Sequence, residues 1–183
     1  MKATIFKAQI EFADLDQNFY ADYSVTLARH PSETNERLLV RLLAYTLNAP
    51  PETDRGHLEF AKDLWDIDEP CIWQKDFTGS TVHWMEVGQP DEKRILRVSA
   101  RSEKVSVYCY DSSAPIWWEG IATKITRARN LAVWQIPPEQ SAALSILAQR
   151  TMKLHISVQE GSIWVTDENH SIEVTPVSLF SPR

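Results

Sequence analysis

Apolar and polar residues alternate in two stretches near the start of the chain, residues 3–12 (ATIFKAQIEF) and 19–28 (FYADYSVTLA), separated by the polar turn ADLDQN. A period of two sends neighbouring side chains to opposite faces, so these stretches predict a hairpin with one face against a core. The period then changes. In HPSETNERLLVRLLAYTLNAPP (residues 30–51), every position from 38 to 44 except Arg41 is apolar. That predicts a central helix with Ser32 as N-cap, Glu33 and Glu36 in the first turn, and Asn48 with Pro50 and Pro51 as the stop. Residues 49–70 predict a short helical piece around LEFAKDLW and then an acidic loop, DIDEP. Strands follow at 71–77 and 81–88, joined at Thr78-Gly79, and Pro90 with Asp91 and Glu92 opens a helix to about residue 102.

Further on, VSVYCY (105–110) has the uncharged β-rich character of a central strand, and LAVWQI (131–136) is another strand. SSAPIWWEGIATKITRA (112–128) predicts a helix capped by Ser112 or Ser113, and PPEQSAALSILAQRTM (137–152) a second. An antiparallel trio at 153–159, 162–167 and 170–175 closes the chain, turned at Glu160-Gly161 and Glu168-Asn169. The middle runs helix, hairpin, helix, strand, helix, strand. This is the order of an α/β protein with a mixed sheet and flanking helices. No soft linker interrupts the 183 residues, so a compact single domain over 1–183 is expected.

Composition adds a sizeable core, because 43% of residues are hydrophobic and seven are Trp. The net charge of −6 argues against a surface uniformly basic for nucleic acid, although a local basic stripe remains compatible with it. Cys71 and Cys109 alone suggest neither a disulfide framework nor a four-ligand zinc site. The start carries acids where an export signal needs an apolar block, and no run approaches the roughly 18 apolar residues of a membrane span, so a cytoplasmic protein without membrane contact is expected. Gly56, Gly79, Gly88, Gly120 and Gly161 are too scattered for a phosphate loop or dinucleotide fingerprint. HExxH, paired CxxC and GxSxG motifs are absent.

The remaining candidate chemistry is carboxylate chemistry around the 71–88 hairpin. Some nucleases hold Mg²⁺ with acids from neighbouring strands while a Lys two residues beyond one acid positions water. Glu86 supplies an acid, but Gly88 occupies the Lys slot, and Gln89 reaches Glu86's face only if the backbone bulges. Asp76 is the expected partner, provided a three-residue glycine turn such as Thr78-Gly79-Ser80 brings both acids to one side. Glu33 and Glu36 could add an acid from the helix; complementing its dipole is the plainer role for both. Arg94, Arg97 and Arg101 fall at helical spacing with Lys93 beside them, a stripe able to neutralise phosphates or simply to face solvent. Of Trp73, Trp84, Trp117 and Trp118, three are expected in the core, with one of the adjacent pair exposed.

HPSETNERLLVRLLA, WQKDFTG, WMEVGQPDEKR, IWW, AQRTM and the terminal EVTPV together resemble the bacterial YaeQ family, in order and over nearly the whole chain. The resemblance implies a compact α/β fold that varies the PD-(D/E)XK nuclease architecture, in a family that is largely uncharacterised. By position, Glu86 and Gln89 match the acid and glutamine of the family's WIE-x-GQP segment, Asp76 the acid of its KD-L-TG segment, and Glu33 and Glu36 the acids of its HPSET helix. The same pattern implies acids in many members where this chain has Val82 and Cys71. If those acids are ligands, part of a metal site is missing here, although position 82 lies roughly 13 Å along the strand from Glu86, too far to share one ion directly. Two readings follow. In one, Glu86 and Asp76 bind Mg²⁺ or Mn²⁺ with help from Glu33 or Glu36, Gln89 orients water, and Lys93, Arg94, Arg97 and Arg101 hold a phosphodiester of nucleic acid. In the other, a nuclease-like scaffold without turnover binds nucleic acid or a protein partner.

Overall fold

The computed structural model describes residues 2–183. In chain order the elements are β1 (Thr4–Asp14), β2 (Phe19–Arg29), α1 (Asn35–Asn48), β3 (Leu58–Phe60), β4 (Ile72–Lys75), β5 (Thr81–Val87), α2 (Glu92–Arg101), β6 (Ser102–Cys109), α3 (Ala114–Ile121), β7 (Leu131–Gln135), α4 (Pro138–Leu144), β8 (Thr151–Gln159), β9 (Ser162–Thr166), β10 (Ser171–Val174) and β11 (Val177–Phe180). Single 3₁₀ turns lie at Asp63–Trp65 and Ser145–Leu147. The class is α/β with mixed sheets and flanking helices. Two compact units are distinguished, one formed by the chain up to Thr46 with Ile136–Pro176, the other by Leu47–Gln135 with Val177–Arg183. Each is discontinuous in sequence, which is why no linker announces a boundary.

The first unit is built on a five-stranded sheet in the order β10-β9-β8-β1-β2, all antiparallel except the β1–β8 pair. Alternation along β1 buries Phe6, Ala8, Ile10 and Phe12 and leaves Ile5, Lys7, Gln9 and Glu11 exposed. Met152, Leu154 and Ile156 of β8 continue the buried face. The β8–β9 turn at Glu160-Gly161 has both residues at positive φ, the geometry that a two-residue hairpin needs. Helix α1 buries a continuous run from Leu38 to Ala44, including Arg41.

The second unit carries a six-stranded sheet in the order β11-β7-β6-β5-β4-β3. Strands β5, β6 and β7 are parallel, connected through α2 and α3, while β3, β4 and β11 pair antiparallel at the flanks. Trp84, Ile95, Val98, Val105, Val107, Ile125, Leu131 and Val133 belong to its core.

Local expectations need correction at several places. One mixed sheet was expected; there are two. The cap of α1 is Thr34, whose Oγ1 accepts from Arg37 N at 3.1 Å, while Ser32 instead bonds His30. Residues 58–65 form a short strand and a 3₁₀ turn because Leu58–Phe60 find a partner in β4. Pro90 precedes α2, which Asp91 caps by accepting from Arg94 N at 2.7 Å. Helix α3 stops at Ile121, where the β-branched run of IATKIT weakens helix propensity, and α4 tightens into 3₁₀ after Leu144. Strand β11 was not foreseen. Its Phe180 packs on Trp118 at 5.9 Å, and Trp117 donates from Nε1 to Pro90 O at 2.9 Å, so both tryptophans are half-buried and neither is the exposed member expected.

Candidate functional site

Glu86 lies near the end of β5, where alternation puts Trp84 and Glu86 on one face and His83 and Met85 on the other. The strand is paired along both edges, and residues on both of its faces from His83 to Val87 are buried, Glu86 being only 8% exposed. Its Oε1 accepts from Arg94 Nε at 2.6 Å and from Trp84 Nε1 at 2.8 Å. The helix reaches back because Gly88, at φ 121°, ends the strand and the Asp91 cap then aims the first turn of α2. The same guanidinium donates to the carbonyls of Ile67 and of Glu69, the latter at 3.0 Å, which fastens the DIDEP loop to β5. Burial raises the Glu86 carboxyl above its ordinary value, opposed by the Arg94 and Trp84 hydrogen bonds and the Arg94 charge.

Asp76 is elsewhere. It opens a three-residue turn in which its backbone N donates to Ser80 O at 2.9 Å, Gly79 N donates to Asp76 O at 3.0 Å, and Gly79 takes φ 87°. Its Oδ1 accepts from Thr78 Oγ1 at 2.6 Å, Thr78 N at 2.9 Å and Ser80 N at 3.0 Å. The Thr78 hydroxyl bond leads the causes that hold this carboxyl below its usual value. The expected glycine turn therefore forms, one residue earlier than expected, and a second irregularity leaves Val82 unpaired between Gln74↔His83 and Lys75↔Thr81. Neither feature closes the gap. Lys75 pairs with Thr81, and Glu86 lies five rises farther along β5, about 16 Å. Oxygens around one Mg²⁺ or Mn²⁺ lie within about 5 Å of each other. Glu86 and Asp76 thus do not fit as joint ligands of one ion, which corrects the expected pairing.

The remaining candidates are also dispersed. Gln89 leaves the strand after Gly88 and donates from Nε2 to Ser113 Oγ at 2.9 Å, so the glycine departure carries it to the start of α3. In the first unit, Glu33 is buried and receives Arg41 in a fork, Nε at 2.8 Å and an Nη at 2.7 Å, with Arg37 added at 2.5 Å. Glu36 accepts from the buried hydroxyl of Ser141 at 2.6 Å. Both acids serve within that unit. Cys71 presents a buried thiol, its Sγ 3.2 Å from Met85 O. Among the described residues, no group of three or more His, Cys, Asp and Glu side chains is arranged to hold a metal ion.

The basic stripe is altered rather than lost. Arg94 turns inward to Glu86, while Lys93, Arg97 and Arg101, spaced by four, stay exposed, and among the described residues no hydrogen bond or ion pair engages their side chains. Arg127 and Arg129 join the same unit's exposed cations, again without side-chain partners. The expected helix over 112–128 takes in Arg127 and stops short of Arg129, so it separates the two; the alternation Arg-Ala-Arg around buried Ala128 is the available signal.

Fold and site thus define an α/β protein with two mixed sheets and an internal carboxylate–guanidinium pair at the end of a central strand. The chain belongs to the YaeQ family, whose description, "YaeQ protein", matches residues 1–176. It is 42% identical to the "Uncharacterized protein YaeQ" of Escherichia coli strain K12 over 184 aligned positions, covering 100% of this chain and 98% of the relative. The crystal structure of the Xanthomonas axonopodis pv. citri YaeQ protein superposes with a TM-score of 0.92 at 39% identity, covering 98% of this chain and 99% of that one. The Pseudomonas syringae YaeQ crystal structure gives 0.90 at 34% identity, covering 98% and 97%. Among the described residues no helix is long and apolar enough to cross a membrane.

Proposed function

We propose that this protein binds nucleic acid without cleaving it, using a scaffold related to the PD-(D/E)XK nucleases in which the acid position has become an internal ion pair. The observation that carries the reading is the Arg94 guanidinium against Glu86 Oε1 at 2.6 Å. A carboxylate neutralised by a half-buried arginine and an indole N–H has lost the negative field that would attract Mg²⁺ or Mn²⁺, and the spacing of Asp76 removes its expected co-ligand. No hydrolytic step is assigned to Glu86, Asp76, Gln89, Glu33 or Glu36. The binding half of the reading rests on Lys93, Arg97 and Arg101, three exposed cations on one side of α2. They give a local positive field within an acidic chain, and neutralising three phosphates predicts a log–log salt slope of about −2.7 for duplex.

The test incubates labelled single- and double-stranded DNA and RNA with Mn²⁺ and either the parent or Glu86→Ala. The expected result is intact nucleic acid with both proteins, and salt-sensitive retention by the parent that a Lys93→Glu/Arg97→Glu/Arg101→Glu variant loses. Cleavage by the parent that disappears in Glu86→Ala reinstates the hydrolase. Failure of the parent to retain any of the four nucleic acids at 50 mM salt, or about that, ends the binding reading.

A further inference from the structure

Helix α2 and the segment leading into β7 line an open hollow of about 390 Å³ in the second unit. Its floor is apolar, made by Leu96, Ala100 and the buried Ala128, and its rim carries Arg127 and Arg129. The walls are tied together. Asn130 donates from Nδ2 to Ser99 O at 2.9 Å and Ser102 O at 2.8 Å, its Oδ1 accepts from Ser99 Oγ, and its own carbonyl takes Val105 N at 3.0 Å. On the outer side, Arg129 O accepts from Arg183 N at 2.8 Å. The hollow is therefore preformed by the fold's own hydrogen bonds.

The charges around it are available. Arg29, Arg37, Arg41, Arg55, Arg94 and Arg150 all spend their guanidinium groups on oxygen atoms of the protein. Among the described residues, neither Arg127 nor Arg129 has such a partner, and both are exposed. Lys93 and Arg97 flank Leu96 and Ala100 on α2, since residues three and four apart share a side of a helix. An apolar floor with two unspent cations on its rim and two more on the neighbouring stripe of α2 matches an anion that also carries a flat apolar group. A paired base in a duplex is enclosed in its stack and cannot enter such a recess, whereas an unpaired base can, with guanidinium planes above it and its flanking phosphates on the rim.

We infer that this hollow seats an unpaired nucleotide of single-stranded nucleic acid, with Arg127 and Arg129 on the flanking phosphates and Leu96, Ala100 and Ala128 under the base. The inference rests on the nucleic-acid reading above and narrows it to single strands.

The experiment measures anisotropy of fluorescein-labelled dT12, U12 and a 12-base-pair duplex at one salt concentration, with the parent, Ala100→Leu and Arg127→Ala/Arg129→Ala. Ala100→Leu fills the hollow, keeps the charge and sits at an exposed helical position, and its thermal midpoint verifies folding. The parent is expected to hold a single strand about tenfold more tightly than the duplex, and Ala100→Leu to lose about that factor on the single strand. The double arginine variant is expected to reduce the single-strand salt slope by about 1.4. Equal binding of strand and duplex, unaltered by Ala100→Leu, overturns the hollow while leaving the nucleic-acid reading intact; no binding to any of the three probes overturns both. If dTMP binds as tightly as dT12, the site takes a free nucleotide and the strand proposal fails. Equal binding of poly-glutamate reduces the rim to an unspecific cationic patch and also overturns it.

Discussion

The two faces of β5 each bury an ionisable side chain, three residues apart, and the fold treats them differently. His83 is 4% exposed and shares a 2.8 Å hydrogen bond from Nε2 with the hydroxyl of Ser106, itself buried. Burial, with the nearby Lys104 charge, pushes its pKa down to about 3, so His83 is neutral. Glu86, on the other face, meets a cation and an indole N–H, and burial pushes its carboxyl up. Desolvation opposes the charged form on both faces; only Glu86 is given a counter-ion. The difference teaches that a buried acid beside a shifted pKa need not be catalytic: the partner, rather than the shift, assigns the role.

Breaking the partner should have the largest effect. Arg94→Ala strands a buried carboxylate and frees the Ile67 and Glu69 carbonyls, so urea unfolding should reveal a loss of about 3–5 kcal/mol. Glu86→Leu with Arg94→Leu should recover most of that, because neither charge is then left unpaired. A Glu86→Ala protein more stable than the parent would instead mark a strained catalytic acid and break the comparison.

The His83 face should appear as acid lability. The unfolded chain takes up a proton below the ordinary imidazole value of 6.5, whereas the native state resists until about 3. Stability from this group is therefore full above pH 6.5 and falls as pH decreases through that window, by on the order of 3 kcal/mol between pH 6.5 and 4. Unfolding of His83→Gln over the same range should be flatter by that amount. A parallel decline in both proteins would show that His83 is not the responsible group.

Glu86 should give the opposite sign. Its folded-state pKa is raised, so its contribution is full below the ordinary value of 4.5 and declines as pH rises through the folded value. Glu86→Gln should thus gain on the parent between acid and neutral pH, a trend that thermal midpoints at four or five pH values would reveal or deny. The smallest effect belongs to the outer side of α2. Lys93→Ala or Arg97→Ala should change stability by less than about 0.5 kcal/mol, since both side chains are exposed and neither has a partner among the described residues. Arg94, between them in sequence, is the sharp contrast on the same helix.

Much of the architecture was legible because periodicity reports burial directly. The alternation of β1 and β8, the Glu160-Gly161 turn and the strand-helix-strand order from β5 to β7 were all readable. The ends of α3 and α4 were not, since tertiary contacts decide where a weak helix former stops, and VSLF in β11 has too little pattern to announce a strand. Asp76 is a different failure. Glu86 lies ten positions farther on, and any tight turn at Gly79 pairs Asp76 near Ser80, so the spacing by itself sets the two acids far apart along the sheet. Arg94 was placed correctly on its helix and assigned to the wrong face, because Lys93, Arg94, Arg97 and Arg101 look alike in sequence.

The order of residues alone settled the longer strands and helices, that one acid stands in a strand bounded by glycine, and that acids and bases segregate: residues 52–69 hold seven acids and two bases, residues 93–104 five bases and one acid. These are short-range properties, carried by local periodicity and composition. Which arginine meets Glu86, which ones remain unspent around the Ala100 hollow, and how far Asp76 stands from either were decided only when α2 packed on its sheet. Ion pairing depends on fractions of an ångström and on the angle between elements, and neither is written in any one stretch of chain.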